Sequence, residues 1–482
     1  MRYDVVIIGS GFGGLVCAHL LAKAGKRVLV LERQRQAGGC IQSYPRKGFA
    51  LDTGLHYVGG LDEGQNLHKI FTHLGLMKLP WQRLDANGFD QITIGSETFA
   101  FAEGYDHFVD TLADRFPKQR EALQQYVTML QESDSVSFGS DGAYRIFGLS
   151  AYDYLTQLFS DELLINVLSG SSIKMELCKE SLPLFTFAHG NSSFIQSSWR
   201  LKGDGNLILK SLVDDICSYG GEIVCNAEVE ALSEHDGQIE AARCKNGETY
   251  EGALFISDIH PVQTFDLIQD SKLLKRIFRL RMKAMENTRG TFTASLVLKP
   301  GMLPYFNHNK FVYRKANVWT FADESEETGG VMISCRVPEV GNEARQIDLL
   351  TPMNWEECKA WSDTQVGRRG EDYLKMKQRK ADACIALAET VIPDLRDMIE
   401  QQYTSTPLTY RDYTLTPQGS SYGVRKDCRN LVMTMLSPRT PIQNLMLTGQ
   451  NLMLHGLEGV SMTALLTCSE ILGNDYIKQI IN

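Results

Sequence analysis

Long apolar runs are missing from this chain. Nowhere in its 482 residues is there a stretch near the ~18 consecutive apolar side chains of a spanning helix. Met1 to Asp4 lead straight into Val5-Val6-Ile7-Ile8, without the long apolar segment and cleavage site of a secretory leader. Excess positive charge is missing too. Lys and Arg total 49 against 58 Asp and Glu, a net charge of −9, which disfavours a nucleic acid as partner because phosphate binding wants a basic face. The eleven cysteines are scattered and none has C-x-x-C spacing, so a zinc ribbon and a thioredoxin-type redox pair are excluded and no metal site is expected. Reduced, mostly buried thiols are the expectation, as in a cytoplasmic protein that touches a membrane at most peripherally. Proline is sparse, at 14. No Pro- or Ser-rich linker divides the chain, and no repeat of 20–50 residues recurs. Neither an H-E-x-x-H zinc site nor a G-x-S-x-G nucleophile elbow is expected, so hydrolase readings fall away.

What is present is a globular composition, 43% hydrophobic and 22% charged, with one strong signal at its start. Val5 to Ile8 form a β-branched run of the kind buried in a parallel sheet. A glycine turn follows, then a helix from Leu15 to Ala24, then a second apolar strand, Arg27 to Glu32. The turn reads Gly9-Ser10-Gly11-Phe12-Gly13-Gly14, a G-x-G-x-x-G between strand and helix, and the next strand ends in an acid, Glu32. That context makes it a dinucleotide fingerprint. Gly9 permits the tight turn, Gly11 lets backbone approach a pyrophosphate, and Gly14 lets helix and strand pack closely. The helix N-terminus offers N–H groups to phosphate. Glu32 suits the ribose hydroxyls and repels a 2′-phosphate.

Further elements point to an interleaved chain. Helices are expected over 105–135, 151–170, 206–220, 372–400 (broken at Pro393) and Val460 to Leu472. Strands are expected at Glu222 to Cys225, Glu228 to Leu232, Ile239 to Cys244, Ala253 to Ser257, 291–298, 331–337 and Leu445 to Thr448. The N-terminal unit is too small for a full sheet, and the strands near 222–257 and 445–448 would complete it. The expected fold is α/β: a discontinuous Rossmann-type domain from 1–85, 201–265 and 436–482, interleaved with an α+β substrate domain from 86–200 and 266–435.

After Glu32 come Arg35-Gln36-Ala37-Gly38-Gly39 and then Phe49-Ala50-Leu51-Asp52-Thr53-Gly54-Leu55-His56-Tyr57. With the glycine turn, these resemble the N-terminal block of the FAD-dependent phytoene desaturase and amine oxidase superfamily, and within it most closely the retinol saturases and carotenoid isomerase-like proteins. Leu201 to Leu207 with Gly220-Gly221, Thr406 to Thr409, Gly419 to Gly423, and Asn444 to Gln450 with Gly456 and Gly459 are similar to later blocks of that group. Gly449-Gln450 stands where many members have Gly-Asp, and Gln is familiar in the retinol saturase branch.

The resemblance implies FAD. Gly9, Gly11, Phe12, Gly13 and Gly14 would serve the pyrophosphate, Glu32 the ribose with Arg33 beside it, and Gly38 and Gly39 the isoalloxazine. Val229 would meet the adenine, Gly449 and Gln450 would close over pyrophosphate and ribityl, and Gly459-Val460 would open a helix toward the flavin. It implies chemistry on a C=C bond of an apolar isoprenoid or lipid: saturation, with desaturation or isomerisation as alternatives. A flavin amine oxidase and a flavin-holding polyene carrier without turnover are the readings from other classes. His56 is the candidate proton donor, with His455 and Glu458 as alternatives. No second G-x-G-x-x-G is found, so an external electron donor or acceptor, or a transient NAD(P)H, would exchange electrons. Two segments suit a membrane surface, the aromatic stretch 142–165 and the basic run Lys272 to Lys283.

Overall fold

The computed structural model describes residues 2–135, 146–323 and 328–481. Strand β1 (Arg2–Ile8), helix α1 (Phe12–Lys23) and strand β2 (Val28–Leu31) form the opening unit. The β-branched residues of β1 are buried from Val5 to Ile8, as are all four residues of β2. Helix α1 is buried from Phe12 to Ala22. A helix apolar all round needs cover on every side. The sheet supplies one side, and the helices Asn206–Ser218 and Gly456–Leu472 supply others.

The first sheet has seven strands. Glu222–Val224, β2, β1, Thr249–Ser257 and Leu445–Leu447 run parallel side by side. Gln238–Cys244 pairs antiparallel with Thr249–Ser257, and Val229–His235 with Gln238–Cys244. The beginning, middle and end of the chain thus meet in one sheet, and the α/β, Rossmann-type expectation is borne out. The carboxyl ends of β1, Thr249–Ser257 and Leu445–Leu447 lie together, where open parallel sheets bind ligands. Asp258 N–H donates to Ile8 O at 2.9 Å and Thr448 N–H to Ser257 O at 2.9 Å.

The second sheet also has seven strands, in the order Ile399–Ser405, Gly290–Leu298, Gln346–Met353, Gly330–Cys335, Asn309–Tyr313, Asp90–Ile94 and Glu97–Phe101. All nine residues of Gly290–Leu298 are buried. Helix Glu371–Ala388 packs on this sheet, and the Phe- and Leu-rich helices between 105 and 196 form a large adjoining core.

Three expectations change in detail. The helix over 151–170 is two, Ala151–Leu158 and Glu162–Ser169. The Asp161 carboxylate accepts from Leu164 N–H at 3.1 Å and so starts a new helix. The helix of 372–400 ends before 400, because Ile399–Ser405 joins the edge of the second sheet. The closing helix begins at Gly456, and another, Asn474–Ile481, follows it. Of the proposed membrane stretch 142–165, Tyr144 lies outside the described residues. Leu155 is fully buried, and Tyr152 and Tyr154 pack on the core. Among the described residues no helix is long and apolar enough to cross a membrane.

Candidate functional site

The glycine turn is held in place by one hydroxyl. Ser10 Oγ donates to Glu32 Oε2 at 2.5 Å and accepts from Gly38 N–H at 3.1 Å. Glu32 Oε2 also accepts from Ser10 N–H at 3.1 Å, and Oε1 from Gln34 N–H at 2.7 Å. The turn, the acid and the second glycine pair are therefore one hydrogen-bonded unit, although 28 residues separate Ser10 from Gly38.

Around it backbone from several stretches of chain forms a cradle of glycines. Gly9 turns at φ +93°, a conformation that glycine adopts freely. A Cβ on Gly39 would sit 3.1 Å from Gly11 Cα, and one on Gly13 would sit 2.9 Å from Gly449 Cα. Gly11, Gly13, Gly39 and Gly449 thus converge from three stretches of chain. A side chain on Gly11, Gly13 or Gly449 would run into the Asp258 carboxylate, which in this structure accepts from the Gly11 and Gly14 N–H groups at the start of α1. Glycines converging on a helix start fit a pyrophosphate, which needs close backbone approach and helix-terminal donors. Phe12 adds no side chain to the cradle, since its ring packs edge-on to Phe71 with centroids 6.3 Å apart. Arg33 Nη1 donates to Asp412 O at 3.3 Å, joining the cradle's rim to the segment before Gly419. Val229 begins the strand that follows Ala227, whose N–H donates to Glu32 O at 2.8 Å. That puts Val229 on the Glu32 side of the cradle.

Asp258 is not among the expected site residues. Its carboxylate lies against Gly11, Gly13, Gly14 and Gly449, and it accepts from the N–H groups of Gly14 and Gly11. Burial, with the Glu32 charge adding to it, raises its pKa to about 7. An acid on N–H groups suited to phosphate would compete with an incoming anion when it is charged.

Lys426 was missed as well. Its ammonium is buried and donates to Thr434 O (2.9 Å), Asn451 O (2.7 Å) and Leu452 O (3.1 Å). Burial lowers its pKa to about 7. It pins the loop that follows Gly449 and Gln450. Gln450 itself lies near Gly423. No motif surrounds this lysine in the sequence.

Gly459 and Val460 lie in the first turns of Gly456–Leu472. A Cβ on Gly459 would run into Leu454, and Val460 joins the core against α1. Next to them Glu458 is buried, hydrogen-bonded to the Ser193 and Asn66 side chains and raised to about 7 by burial. His455 flanks the helix start. Its Nε2 lies 3.0 Å from Lys174 O, its ring packs on Tyr422 at 4.5 Å, and burial lowers its pKa to about 4.

His56 lies elsewhere, in an ionic network. Its Nδ1 is 3.8 Å from Asp348 Oδ2, and its Nε2 is buried without a partner. Burial lowers its pKa, opposed by Asp348 and Asp52. Arg336 is paired with Asp52 and donates to Ala50 O at 2.5 Å. Asp52 Oδ1 in turn accepts from Gly205 N–H at 3.1 Å and from Ser43 Oγ at 2.6 Å. The network borders the cradle through Gly54, which packs on Cys40 O, next to Gly39.

Gly419-Ser420-Ser421-Tyr422-Gly423 spells G-x-S-x-G by letter, but it lies in a loop. Ser421 Oγ is 2.8 Å from Thr291 Oγ1, and no strand–turn–helix elbow is formed. Among the described residues no group of three His, Cys, Asp or Glu side chains is arranged to hold a metal.

Comparison with known proteins agrees with this geometry. Residues 7–74 match the model of the NAD(P)-binding Rossmann-like domain. All-trans-retinol 13,14-reductase of Danio rerio is 25% identical over 98% of this chain and 86% of its own length. The chloroplastic prolycopene isomerase of Daucus carota is 24% identical over 88% of this chain and 72% of its own. Cyclohexylamine oxidase from Brevibacterium oxydans shares the fold, with a TM-score of 0.64 at 14% identity over 98% of this chain and 100% of that one. The resemblance read from the N-terminal motifs is therefore borne out along the whole chain, which is an oxidoreductase similar to retinol saturases and carotenoid isomerases.

Proposed function

We propose that the chain holds FAD in the glycine cradle and acts on a C=C bond of a conjugated isoprenoid or similar apolar lipid, most nearly as a saturase. The observation that carries this reading is the glycine cradle of Gly11, Gly13, Gly39 and Gly449 beside Glu32, in a chain similar over 98% of its length to an all-trans-retinol 13,14-reductase. A bound flavin would supply the hydride. The chain's own residues do the rest. Gly11 and Gly14 present N–H groups to the pyrophosphate, and Glu32 accepts ribose hydroxyls. Val229 offers backbone to the adenine. Gly449 and Gln450 would close over the middle, and the helix Gly456–Leu472, with Gly459 and Val460 in its first turns, would face the flavin's carbonyl edge.

Saturation also needs a proton. Glu458 is the better candidate, because a carboxyl raised to about 7 carries a proton in a substantial fraction of molecules at neutral pH. His56, held neutral among Asp348, Asp52 and Arg336, suits a positioning role. The electron donor is external, or a nicotinamide that visits, and the domain cuts at 85, 200, 265 and 435 belong to the same proposal. The similarity to prolycopene isomerase favours isomerisation as the second reading.

Anaerobic absorbance spectroscopy tests the proposal. The purified protein, chemically reduced, is mixed with retinol and separately with a colourless carotene precursor. Reoxidation of the flavin with loss of the retinol band supports saturation. Bleaching of oxidised flavin by the precursor indicates desaturation, and a geometric change without net redox indicates isomerisation. Bound flavin unmoved by every polyene indicates a carrier. A protein that neither carries flavin nor takes it up overturns the reading.

A further inference from the structure

The helix Arg276–Lys283 has two apolar faces, and the fold uses one. Inward, Phe278 meets Phe265 edge-on with centroids 4.8 Å apart, and Met282 is buried in the core with Leu274 and Met285. Arg279 fixes the helix by donating to Phe265 O at 2.6 Å and to Ile268 O. Outward, Ile277 is 73% exposed and Leu280 52%, with Leu273 of the preceding turn at 41%. Arg281 donates to Val432 O at 2.6 Å, which brings a fourth exposed aliphatic, Val432 at 77%, beside the helix. Isolated exposed aliphatics are ordinary. Several grouped on one short helix leave apolar area in water that the fold does not need.

The charge around these residues is the reverse of the molecule's. The chain carries −9, yet Lys272, Lys275, Arg276 and Lys283 are all exposed within this short stretch. Lys283 is 3.3 Å from Asp266. Lys272, Lys275 and Arg276 form no ion pair among the described residues. A surface cleft of about 390 Å³ opens here, lined by Arg276, Arg279 and Lys283 together with Asp270 and Ser271. The acids nearby are Asp266, Asp270 and, on the adjoining hairpin, Asp236, so cations predominate.

We infer that this face, with Ile277, Leu280 and Leu273 framed by Lys272, Lys275, Arg276 and Lys283, docks the protein on an anionic lipid bilayer. Aliphatics enter the boundary between headgroups and acyl chains while the cations meet lipid phosphates. A nucleic acid would use the cations and leave Ile277 and Leu280 in water. A lipid surface uses both. The inference does not depend on the cofactor or the reaction.

Vesicle flotation of the full chain tests it. Vesicles of phosphatidylcholine alone are compared with vesicles of phosphatidylcholine and phosphatidylglycerol in equal parts. The protein is expected to float with the anionic vesicles and to be released by high salt. The double variant Ile277→Ser/Leu280→Ser is expected to bind them about tenfold more weakly. Lys272→Glu/Lys275→Glu is expected to lose the preference for anionic lipid. All four side chains are exposed, so both variants keep the parent's melting temperature and any bound chromophore. The inference is overturned if the parent floats with neither vesicle, or if both variants float as the parent does. It is equally overturned if the parent instead forms a dimer that Ile277→Ser/Leu280→Ser dissociates, since the face is then an interface between copies.

Discussion

Two neighbouring regions of this molecule are built by opposite means. The cradle at Gly9–Gly14 is made largely of backbone: glycines from three stretches of chain converge with the Asp258 carboxylate against them, and one serine and one glutamate hold the turn. The pocket around His56 is made of side chains, with Arg336, Asp52 and Asp348 brought together from strands some 300 residues apart in sequence. Gly39 to His56 connects the two. A backbone site tolerates no added atoms. A charged side-chain site tolerates changes of volume but not the loss of one partner.

That contrast predicts different kinds of damage. The largest effect is expected from Arg336→Met, which leaves Asp52 buried without its cation. Removing one member of a buried pair costs about 3–5 kcal/mol. Denaturant unfolding is expected to show that loss, while protein that remains folded still retains cofactor. Gly11→Val is expected to do the reverse. Its side chain would push into the Asp258 carboxylate and occupy the cradle, so flavin or ADP binding, read by titration, weakens about a hundredfold. If Arg336→Met abolishes binding in folded protein, the two regions are not separable.

Asp258 sharpens the comparison, since it is a charged group inside the backbone site. In the folded chain its carboxyl titrates at about 7, against about 3.9 for a free Asp. Between those values the folded state holds a proton that the unfolded state has lost. The contribution to stability is therefore full at low pH and falls as pH rises through this window. The melting temperature of the cofactor-free parent relative to that of Asp258→Asn is expected to drop accordingly, whatever the opposing contribution of histidines such as His455, lowered to about 4. Asp258→Asn, with no proton to lose, flattens the parent's slope in part, because Glu458, also near 7, contributes in the same direction. The charged carboxylate also opposes a pyrophosphate. Asp258→Asn is thus expected to tighten cofactor binding about tenfold at about pH 8 and little at about pH 6. Equal affinity at both values would mean that Asp258 caps the turn from a side that the phosphates never reach.

Much of the cradle was legible in the sequence, because each glycine there answers a steric demand that no other residue meets. Strand, turn, helix and acid follow one another within 32 residues, so local order is enough to read them. Asp258 and Lys426 were not legible. Each acts on a loop that is distant in sequence, Asp258 on Gly11 and Lys426 on Leu452 by way of bare carbonyls. Nothing in their own neighbourhoods announces that adjacency. The second sheet was half legible. Gly290–Leu298 is buried along its whole length, its Phe, Ala, Leu and Val interleaved with Thr291, Thr293 and Ser295. Asp90–Ile94 and Ile399–Ser405 are short or polar, and they become strands because a neighbour offers an edge.

The smallest effect is expected where the sequence placed the most chemistry, at His56. Its Nδ1 stands 3.8 Å from Asp348, longer than a hydrogen bond. Burial favours its neutral form, so at neutral pH little ion-pair energy is lost with it. Asn at this position still places a polar group in the pocket. His56→Asn is therefore expected to change stability by no more than about 1 kcal/mol, to keep the cofactor, and to lower polyene turnover only a few-fold with its pH profile unmoved. Steady-state kinetics across pH decide the matter. A large fall in turnover with cofactor and stability intact would return the proton to His56. It would also show that the side-chain region, rather than the helix start at Glu458, faces the reacting bond.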